Sequence, residues 1–233
     1  MWSNRIIFYW YWGTITMIRI YNNFATCLVA VALLAATTAY AGESAAVIKQ
    51  RMGSGDPVAG KTKSSLCQGC HGEEGLSLEN LIPNLAGQYA PYIAKELRNF
   101  QSGARKHQIM SAMAKTINDD ELDDIVAYFA SQEKMQGSGW GDNPVAKHLF
   151  LKGDMTRNIQ PCVSCHGVNG KGKAPNIATF PVIGGQHKAY LRAQLIHWRS
   201  GERSNSPDGV MNKIAQSLTD AEIEALTDYL SGL

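Results

Sequence analysis

The sequence predicts an all-α protein built from two tandem domains of similar size. Three observations support this fold class. The pentapeptide Cys67-Gln68-Gly69-Cys70-His71 has a second copy, Cys162-Val163-Ser164-Cys165-His166, 95 residues further along the chain. The sequence around the two copies is also similar, which indicates repeated domains and not merely a repeated motif. Apolar residues recur at helical spacing in both halves, and no convincing segment alternates as a strand does.

The repeat extends well past the pentapeptides. Three further matched pairs are Pro83–Gln88 with Pro181–Gln186, Tyr92 with Tyr190, and Gly103–Arg105 with Gly201–Arg203. The offset between the copies grows from 95 to 98 and then 101 residues, and both insertions fall in loop-like segments that tolerate them. Residues 136–144 are rich in Gly and turn formers and form the predicted linker. We therefore place the first domain at residues 42–136 and the second at residues 137–233.

Each half is predicted to contain three main helices. Those of the first half cover Pro57–Leu66, Tyr89–Ser102 and a segment that starts near Asn118. Those of the second half cover Pro144–Lys152, His187–Ser200 and Thr219–Leu230. Asn118 and Thr219 are suitable N-caps, because each precedes acidic residues in a first helical turn.

Residues 1–41 predict a cleaved export signal. They contain no Asp or Glu, and the apolar run at residues 24–36 has the length of a signal core, too short for a membrane span. Ala39-Tyr40-Ala41 fits a cleavage site, so the mature chain is expected to start at Gly42. Met17 is the expected true start, since Met17-Ile18-Arg19 begins an ordinary signal peptide. An uncleaved anchor helix is the alternative.

Charge and cysteine counts narrow the function further. Outside the leader the chain has 20 Lys+Arg and 20 Asp+Glu, so no basic excess favours nucleic acid as a partner. Of the 5 Cys, four lie in the two pentapeptides and Cys27 lies in the leader, which leaves none for disulfides.

The pentapeptides have the pattern C-x-x-C-H, which predicts covalent attachment of a c-type haem. Thiols at i and i+3 lie on one side of a helical turn, so both can reach one edge of a porphyrin. The next residue, His71 or His166, then supplies an imidazole to the iron. A four-thiolate zinc site and a redox dithiol are the alternatives, but neither explains the His after each pair. Two covalent haems would also give these small domains an apolar centre.

The sixth iron ligand is predicted from the repeat. Met110 lies seven residues before Ile117, and Met211 lies seven before Leu218, each just ahead of the last helix of its half. Met113 and His107 are alternatives in the first half that have no matching residue in the second. The remaining histidines, His148, His187 and His197, also fail to recur and are expected to be surface or hydrogen-bonded helix residues.

Two filled axial positions favour electron transfer, because no open site remains on the iron for oxygen or peroxide. We therefore expect an electron-transfer protein and not an enzyme. Lys171 and Lys173 follow the second pentapeptide and are either ordinary loop lysines or part of a basic rim for a redox partner.

The order of these motifs resembles the dihaem cytochromes c of the c4 type, over essentially all of residues 55–233. The resemblance implies two cytochrome c domains related by a pseudo-twofold axis, each wrapped around one covalent haem. It implies Cys67, Cys70, Cys162 and Cys165 as attachment sites, with His71 and Met110, and His166 and Met211, as iron ligands. It further implies a periplasmic carrier, loosely associated with the inner membrane, that passes electrons toward a terminal oxidase.

A second function shares this two-domain build. The chain could be the dihaem cytochrome subunit of a larger oxidoreductase, such as a flavin-dependent sulfide dehydrogenase. Expected partners are therefore terminal oxidases, other cytochromes or dehydrogenases. A dihaem peroxidase is disfavoured, because both halves offer a Met to the iron.

Overall fold

The computed structural model describes residues 49, 51–139, 142–173 and 180–233. Ten α-helices have their full spans within these residues. Those of the first half are α1 (Pro57–Lys63), α2 (Ser65–His71), α3 (Ala90–Ser102), α4 (Gln108–Ala114) and α5 (Asp119–Ser131). Those of the second half are α6 (Pro144–Lys152), α7 (Val163–His166), α8 (Lys188–Ser200), α9 (Val210–Gln216) and α10 (Asp220–Gly232).

The all-α prediction is confirmed. In the described part of the chain, the only β-type pairing outside helices is a single bridge between Asp154 and Ile159. Short 3-10 turns add to the second half at Met155–Arg157, Val168–Gly170 and Pro207–Gly209. The two halves follow the same helix order, so the sequence repeat is also a structural repeat.

Equivalent helices begin and end with equivalent local chemistry. The Asp56 carboxylate caps α1 by accepting from Val58 N at 2.8 Å, and the Asn143 side chain caps α6 by accepting from Val145 N at 3.0 Å. Both caps precede a proline at the first helical position, where no N–H is needed. Asn118 and Thr219 cap α5 and α10 through the third backbone N–H, as capping residues do. The starts of these four helices were therefore predictable from the sequence.

Two helical details differ from the sequence expectation. The helix expected over Pro57–Leu66 ends at Lys63, because Ser64 (φ −86°, ψ 7°) leaves helical geometry and its hydroxyl donates to Lys61 O at 3.1 Å. A separate helix, α2, then carries the first pentapeptide. The segments bearing Met110 and Met211 are also short helices, α4 and α9, where only a loop was expected.

Each half packs its own apolar core. In the first half α5 packs against α1 and α3, and in the second half α10 packs against α6 and α8. The first core is formed by residues such as Ile93, Leu97, Phe100, Leu122 and Phe129. The second is formed by residues such as Leu149, Phe150, Leu191, Ile223 and Leu226. The apolar faces of the amphipathic helices thus meet inside each domain, as the helical periodicity predicts.

The two domains meet through a reciprocal pair of glutamines. The Gln88 side chain donates to Val182 O at 2.9 Å and accepts from Val182 N at 2.8 Å. The Gln186 side chain makes the equivalent two bonds to Asn84, both at 2.9 Å. Since Gln88 matches Gln186 and Asn84 matches Val182 in the repeat, the interface has pseudo-twofold symmetry.

The connection between the domains runs beside the end of α10. Gly137 N donates to Leu233 O at 2.8 Å, and Gly139 N donates to Gly232 O at 2.9 Å. The rest of the predicted linker includes residues 140–141, which lie outside the described residues, as does the predicted leader with its expected Met17 and Gly42 starts. Among the helices that are described, none is both long and apolar enough to span a bilayer.

The contact between α1 and α5 should not tolerate a side chain at Gly60. A Cβ there would clash with the carbonyl oxygen of Asp124 and lie 2.9 Å from the Cβ of Tyr128. Gly60→Ala should lower the free energy of unfolding by about 1–3 kcal/mol in urea titration, although alanine normally favours a helix. Val58→Ala, on the exposed side of the same helix, should stay within about 0.5 kcal/mol of wild type. Equal stability of both variants would contradict this packing.

The reciprocal glutamines should be equivalent in their effect on stability. Gln88→Ala leaves the buried N–H and C=O of Val182 unpaired, and Gln186→Ala does the same at Asn84. Each should cost about 2–4 kcal/mol in thermal or urea unfolding, because buried unpaired backbone groups are penalised. Gln216→Ala, at the exposed end of α9, is the matched control. A near-neutral effect of either interface variant would rule out these bonds in solution.

Candidate haem-binding sites

The first C-x-x-C-H motif forms the last part of α2. Cys67 is half-buried and Cys70 is exposed, while His71 is buried. Residues at i and i+3 lie on the same face of a helix, so the structure presents both thiols from one side. The second motif is built alike, with Cys162 immediately before α7 and Cys165 and buried His166 within it.

Both histidine rings are fixed by a proline carbonyl. His71 Nδ1 lies 2.8 Å from Pro83 O, and His166 Nδ1 lies 2.9 Å from Pro181 O. A carbonyl oxygen can only accept, so Nδ1 carries the proton and Nε2 keeps its lone pair. This is the arrangement by which proteins orient a metal-binding imidazole. The role of the two prolines was not predicted, although their match in the repeat was the available signal.

A glycine after each motif holds the proline segment in place. Gly75 O accepts from Ala86 N at 3.0 Å, and Gly170 O accepts from Gly184 N at 3.0 Å. Both glycines have positive φ, and a Cβ on either would lie 2.8 Å from that same amide nitrogen. Only glycine suits this close backbone approach. The motif is therefore extended to C-H-G-x-x-G in both halves.

Burial sets the protonation of the two sites. Burial lowers the pKa of His71 and of His166, so both rings are neutral, as iron ligation requires. Burial also raises the pKa of the Cys67 thiol, and it raises that of Cys162 to about 11. Among the described residues, no three His, Cys, Asp or Glu side chains converge to hold a metal ion. The two Cys pairs thus do not form the four-thiolate zinc site considered above.

The two candidate methionines occupy similar places. Met110 is half-buried near the start of α4 and packs against the core of the first domain, which Cys67 also contacts. Met211 is half-buried near the start of α9, and its backbone N–H donates to Ser206 Oγ at 3.2 Å. Met113 is half-buried one turn further along α4. The structure thus places Met110 and Met211 on equivalent helices.

The other histidines have local partners or exposed positions. His107 caps α4, with its Nδ1 accepting from Met110 N at 3.3 Å. His187 lies 3.1 Å through Nε2 from Ser77 O of the first domain. His197 lies 3.6 Å from the Glu202 carboxylate, and His148 is exposed on α6.

Lys171 is not an ordinary solvated loop lysine, and its place in a basic rim stays a prediction. Its ammonium is half-buried and donates to three carbonyls, those of Met135 at 2.6 Å, Gly184 at 3.0 Å and Leu233 at 3.1 Å. Desolvation lowers its pKa. Lys171 therefore ties the last residues of the first domain and the end of α10 to the loop that follows the second haem motif. Lys173 is exposed and donates to Ser164 O at 3.2 Å.

The residues present fit a covalent haem in each domain. Two thiols lie on one helix face, and the neighbouring buried His offers only Nε2 to a metal. Large apolar side chains are exposed after the motifs, at Leu78 and Leu81 in the first domain and at Val168 in the second. Such apolar surface suits contact with a porphyrin.

Comparison with known proteins gives the same result. Residues 157–233 match the family profile described as cytochrome c, and residues 60–129 match that described as cytochrome C oxidase, cbb3-type, subunit III. The chain is 38% identical over 183 residues to cytochrome c4 of Thiocapsa roseopersicina, covering 77% of this chain and 93% of that protein. It is 36% identical to the thiosulfate dehydrogenase electron acceptor of Stutzerimonas stutzeri, covering 72% of this chain and 78% of that protein.

A solved structure is similar as well. Reduced recombinant cytochrome c4 from Pseudomonas stutzeri superimposes with a TM-score of 0.71 at 37% identity, covering 77% of this chain and all of that one. The likeness confirms the expected two-domain cytochrome c architecture, the two haem c groups and the electron-transfer role. With its repeated haem motifs and its twofold interface, the chain belongs to the cytochrome c4 family of dihaem electron carriers.

Proposed function

We propose that the chain is a periplasmic carrier whose haems are held by the residues that the repeat pairs. Cys67 and Cys70 attach one haem, and Cys162 and Cys165 attach the other. His71 with Met110, and His166 with Met211, are the axial iron ligands. When bound, each haem supplies a one-electron Fe(III)/Fe(II) couple, and a Met thioether favours the reduced state.

The equivalence of the two sites is the observation that supports this ligand set most strongly. Each His is buried, neutral and oriented by a proline carbonyl. Each proposed Met lies four residues before a fully buried alanine that ends or nearly ends its helix, Ala114 in α4 and Ala215 in α9. Met113 and His107 lack such a counterpart. Residues that perform the same task in two repeats should recur in both, and Met110 and Met211 do.

The proposed location and direction of electron transfer are supported by the sequence and by the family. Bacteria attach c-type haem outside the inner membrane, which fits the predicted leader at residues 1–41. The protein would then lie in the periplasm, in peripheral association with the inner membrane. We propose that electrons pass from a dehydrogenase or another cytochrome to this chain and on to a terminal oxidase. A His and a Met bound to each iron would leave no site for a substrate, which supports relay of single electrons.

A second function concerns the donor. Similarity to a thiosulfate dehydrogenase electron acceptor favours a sulfur-oxidising dehydrogenase as the electron source. The sulfide dehydrogenase subunit considered from the sequence is a related possibility, in which the chain stays bound to its enzyme. Purification from native cells separates them, because a carrier runs alone at about the mass of one mature chain with its haems, whereas a subunit co-elutes with a flavoprotein.

The proposed iron ligands can be tested by substitution. Met110→Ala and Met211→Ala should each remove about half of the weak methionine–iron absorption band of the oxidised protein, since each deletes one of two thioether ligands. Each should also lower one of the two midpoint potentials in a redox titration. Pyridine haemochrome spectra should still report two haems per chain, because the thiol attachments remain.

Met113→Ala is the matched control for this experiment. It removes a half-buried thioether from the same helix as Met110 and should keep the full band and both potentials. Retention of the full band in Met110→Ala, with about half of the band lost in Met113→Ala, would transfer the ligand role to Met113. Absence of the band from the wild-type protein would refute Met ligation in both domains.

A further inference from the structure

A buried charged cluster spans the two domains beside the reciprocal glutamines. It consists of Glu96 and Arg105 from the first domain and Gln194 and Arg203 from the second, and we call it the inter-domain arginine cluster. Arg105 donates to Glu96 Oε2 at 2.8 Å and to Gln194 Oε1 at 2.9 Å. Arg203 donates to Gln194 Oε1 at 2.8 Å and lies 3.1 Å from Glu96 Oε2. Each acceptor thus contacts both guanidinium groups.

The cluster follows the pseudo-twofold repeat in almost every member. Arg105 donates to the Tyr190 hydroxyl at 3.1 Å, and Arg203 donates to the Tyr92 hydroxyl at 3.3 Å. Each guanidinium also stacks on the equivalent aromatic ring of its own domain, at 4.7 Å from the centroid for Phe100 and 4.2 Å for Trp198. The exception is the acceptor pair, because Glu96 of the first domain matches Gln194 of the second.

The cluster therefore holds two cations and one central anion. Burial alone would raise the pKa of Glu96, but the guanidiniums of Arg203 and Arg105 outweigh it and hold that pKa at about 2. Glu96 stays ionised at neutral pH, and its side chain is only 7% exposed. Lys95 Nζ adds a partly exposed contact at 2.8 Å, and Asn205 of the second domain donates to Glu96 Oε2 at 2.9 Å.

We propose that Glu96 is a positioning residue for electron exchange between the domains, whose single carboxylate joins the arginines of both and makes the surroundings of the two haems electrostatically unequal. This inference rests on the dihaem electron-carrier function. A fixed negative charge stabilises an oxidised iron more strongly the closer it lies, and a buried charge is screened little by salt. The two buried arginines are twofold-related, so among the buried charges the Glu96/Gln194 difference is the source of inequality. Lys95, which matches Ala193 in the repeat, adds a partly exposed cation on the Glu96 side.

Exchange of the two acceptors separates the electrostatic role from a structural one. The holoprotein is prepared as Glu96→Gln, Gln194→Glu and the double exchange variant carrying both changes. A carboxylate at position 194 would take the place of an amide oxygen that already contacts both guanidiniums. Melting temperature reports the structural effect, and a spectroelectrochemical titration gives the two midpoint potentials. Glu224→Gln is the matched control, because it removes a carboxylate from an exposed pair with Arg192.

The expected results follow from the symmetry. Glu96→Gln should lower the melting temperature, because two buried guanidiniums lose their shared carboxylate, and should raise the mean of the two potentials. The exchange variant should return the melting temperature and the mean potential toward wild type. It should change the separation between the potentials in the same direction as Glu96→Gln and by about twice as much, since the charge moves to the twofold-related position.

Two results would overturn the proposal. One is a lower melting temperature in Glu96→Gln with potentials that move no more than in Glu224→Gln, which would make Glu96 a purely structural residue. The other is an exchange variant whose potential separation equals that of wild type. These results differ from a failure of the haem-ligand assignment, which would show as absence of the methionine–iron band from the wild-type protein.

Discussion

The hydrogen bond between each motif histidine and a proline carbonyl is the interaction on which both sites depend. His71 and His166 are buried, and their Nδ1 atoms are committed to Pro83 O and Pro181 O. Without that bond a buried imidazole would lack a partner and could rotate. With it, the ring orientation and the tautomer are set by the backbone before any metal chemistry begins. The glycine after each motif is required for the same reason, since the proline segment must approach its carbonyl closely.

The proline segments also form part of the domain interface. The same segment therefore orients a haem-binding His and holds the other domain. Pro83 orients His71, while Asn84 and Gln88 of the same hexapeptide bond to the other domain. A displacement of one domain against the other would therefore be transmitted within a few residues to the ring that the iron needs. Because the twofold axis repeats this arrangement at Pro181–Gln186, each domain helps to hold the other's site. The two domains therefore support each other's sites and are not two independent carriers joined in one chain.

The repeat made much of this predictable from the sequence. The helix caps at Asn118 and Thr219 and the apolar helix faces rest on local chemistry and periodicity, and they appear where expected. Contacts between distant segments were not predictable, because nothing local marks Pro83 O as an acceptor. Lys171 is the clearest example. Its position in the sequence is that of an ordinary loop lysine, but in the fold its ammonium is bound by three carbonyls from separate segments. The expected leader lies outside the described residues.

The domain interface contains buried charged and polar groups, which fix its geometry more than they stabilise it. Buried ion pairs stabilise little compared with apolar packing, because desolvation offsets most of the attraction. They do make a shift of one domain against the other costly. A displaced Arg105 guanidinium would lose its bonds to the carboxylate, the amide and the tyrosine hydroxyl together. An apolar interface could slide by a small distance at little cost, whereas forked hydrogen bonds allow one register. For a protein that must keep two redox centres at a constant separation, a demanding geometry is more useful than extra stability.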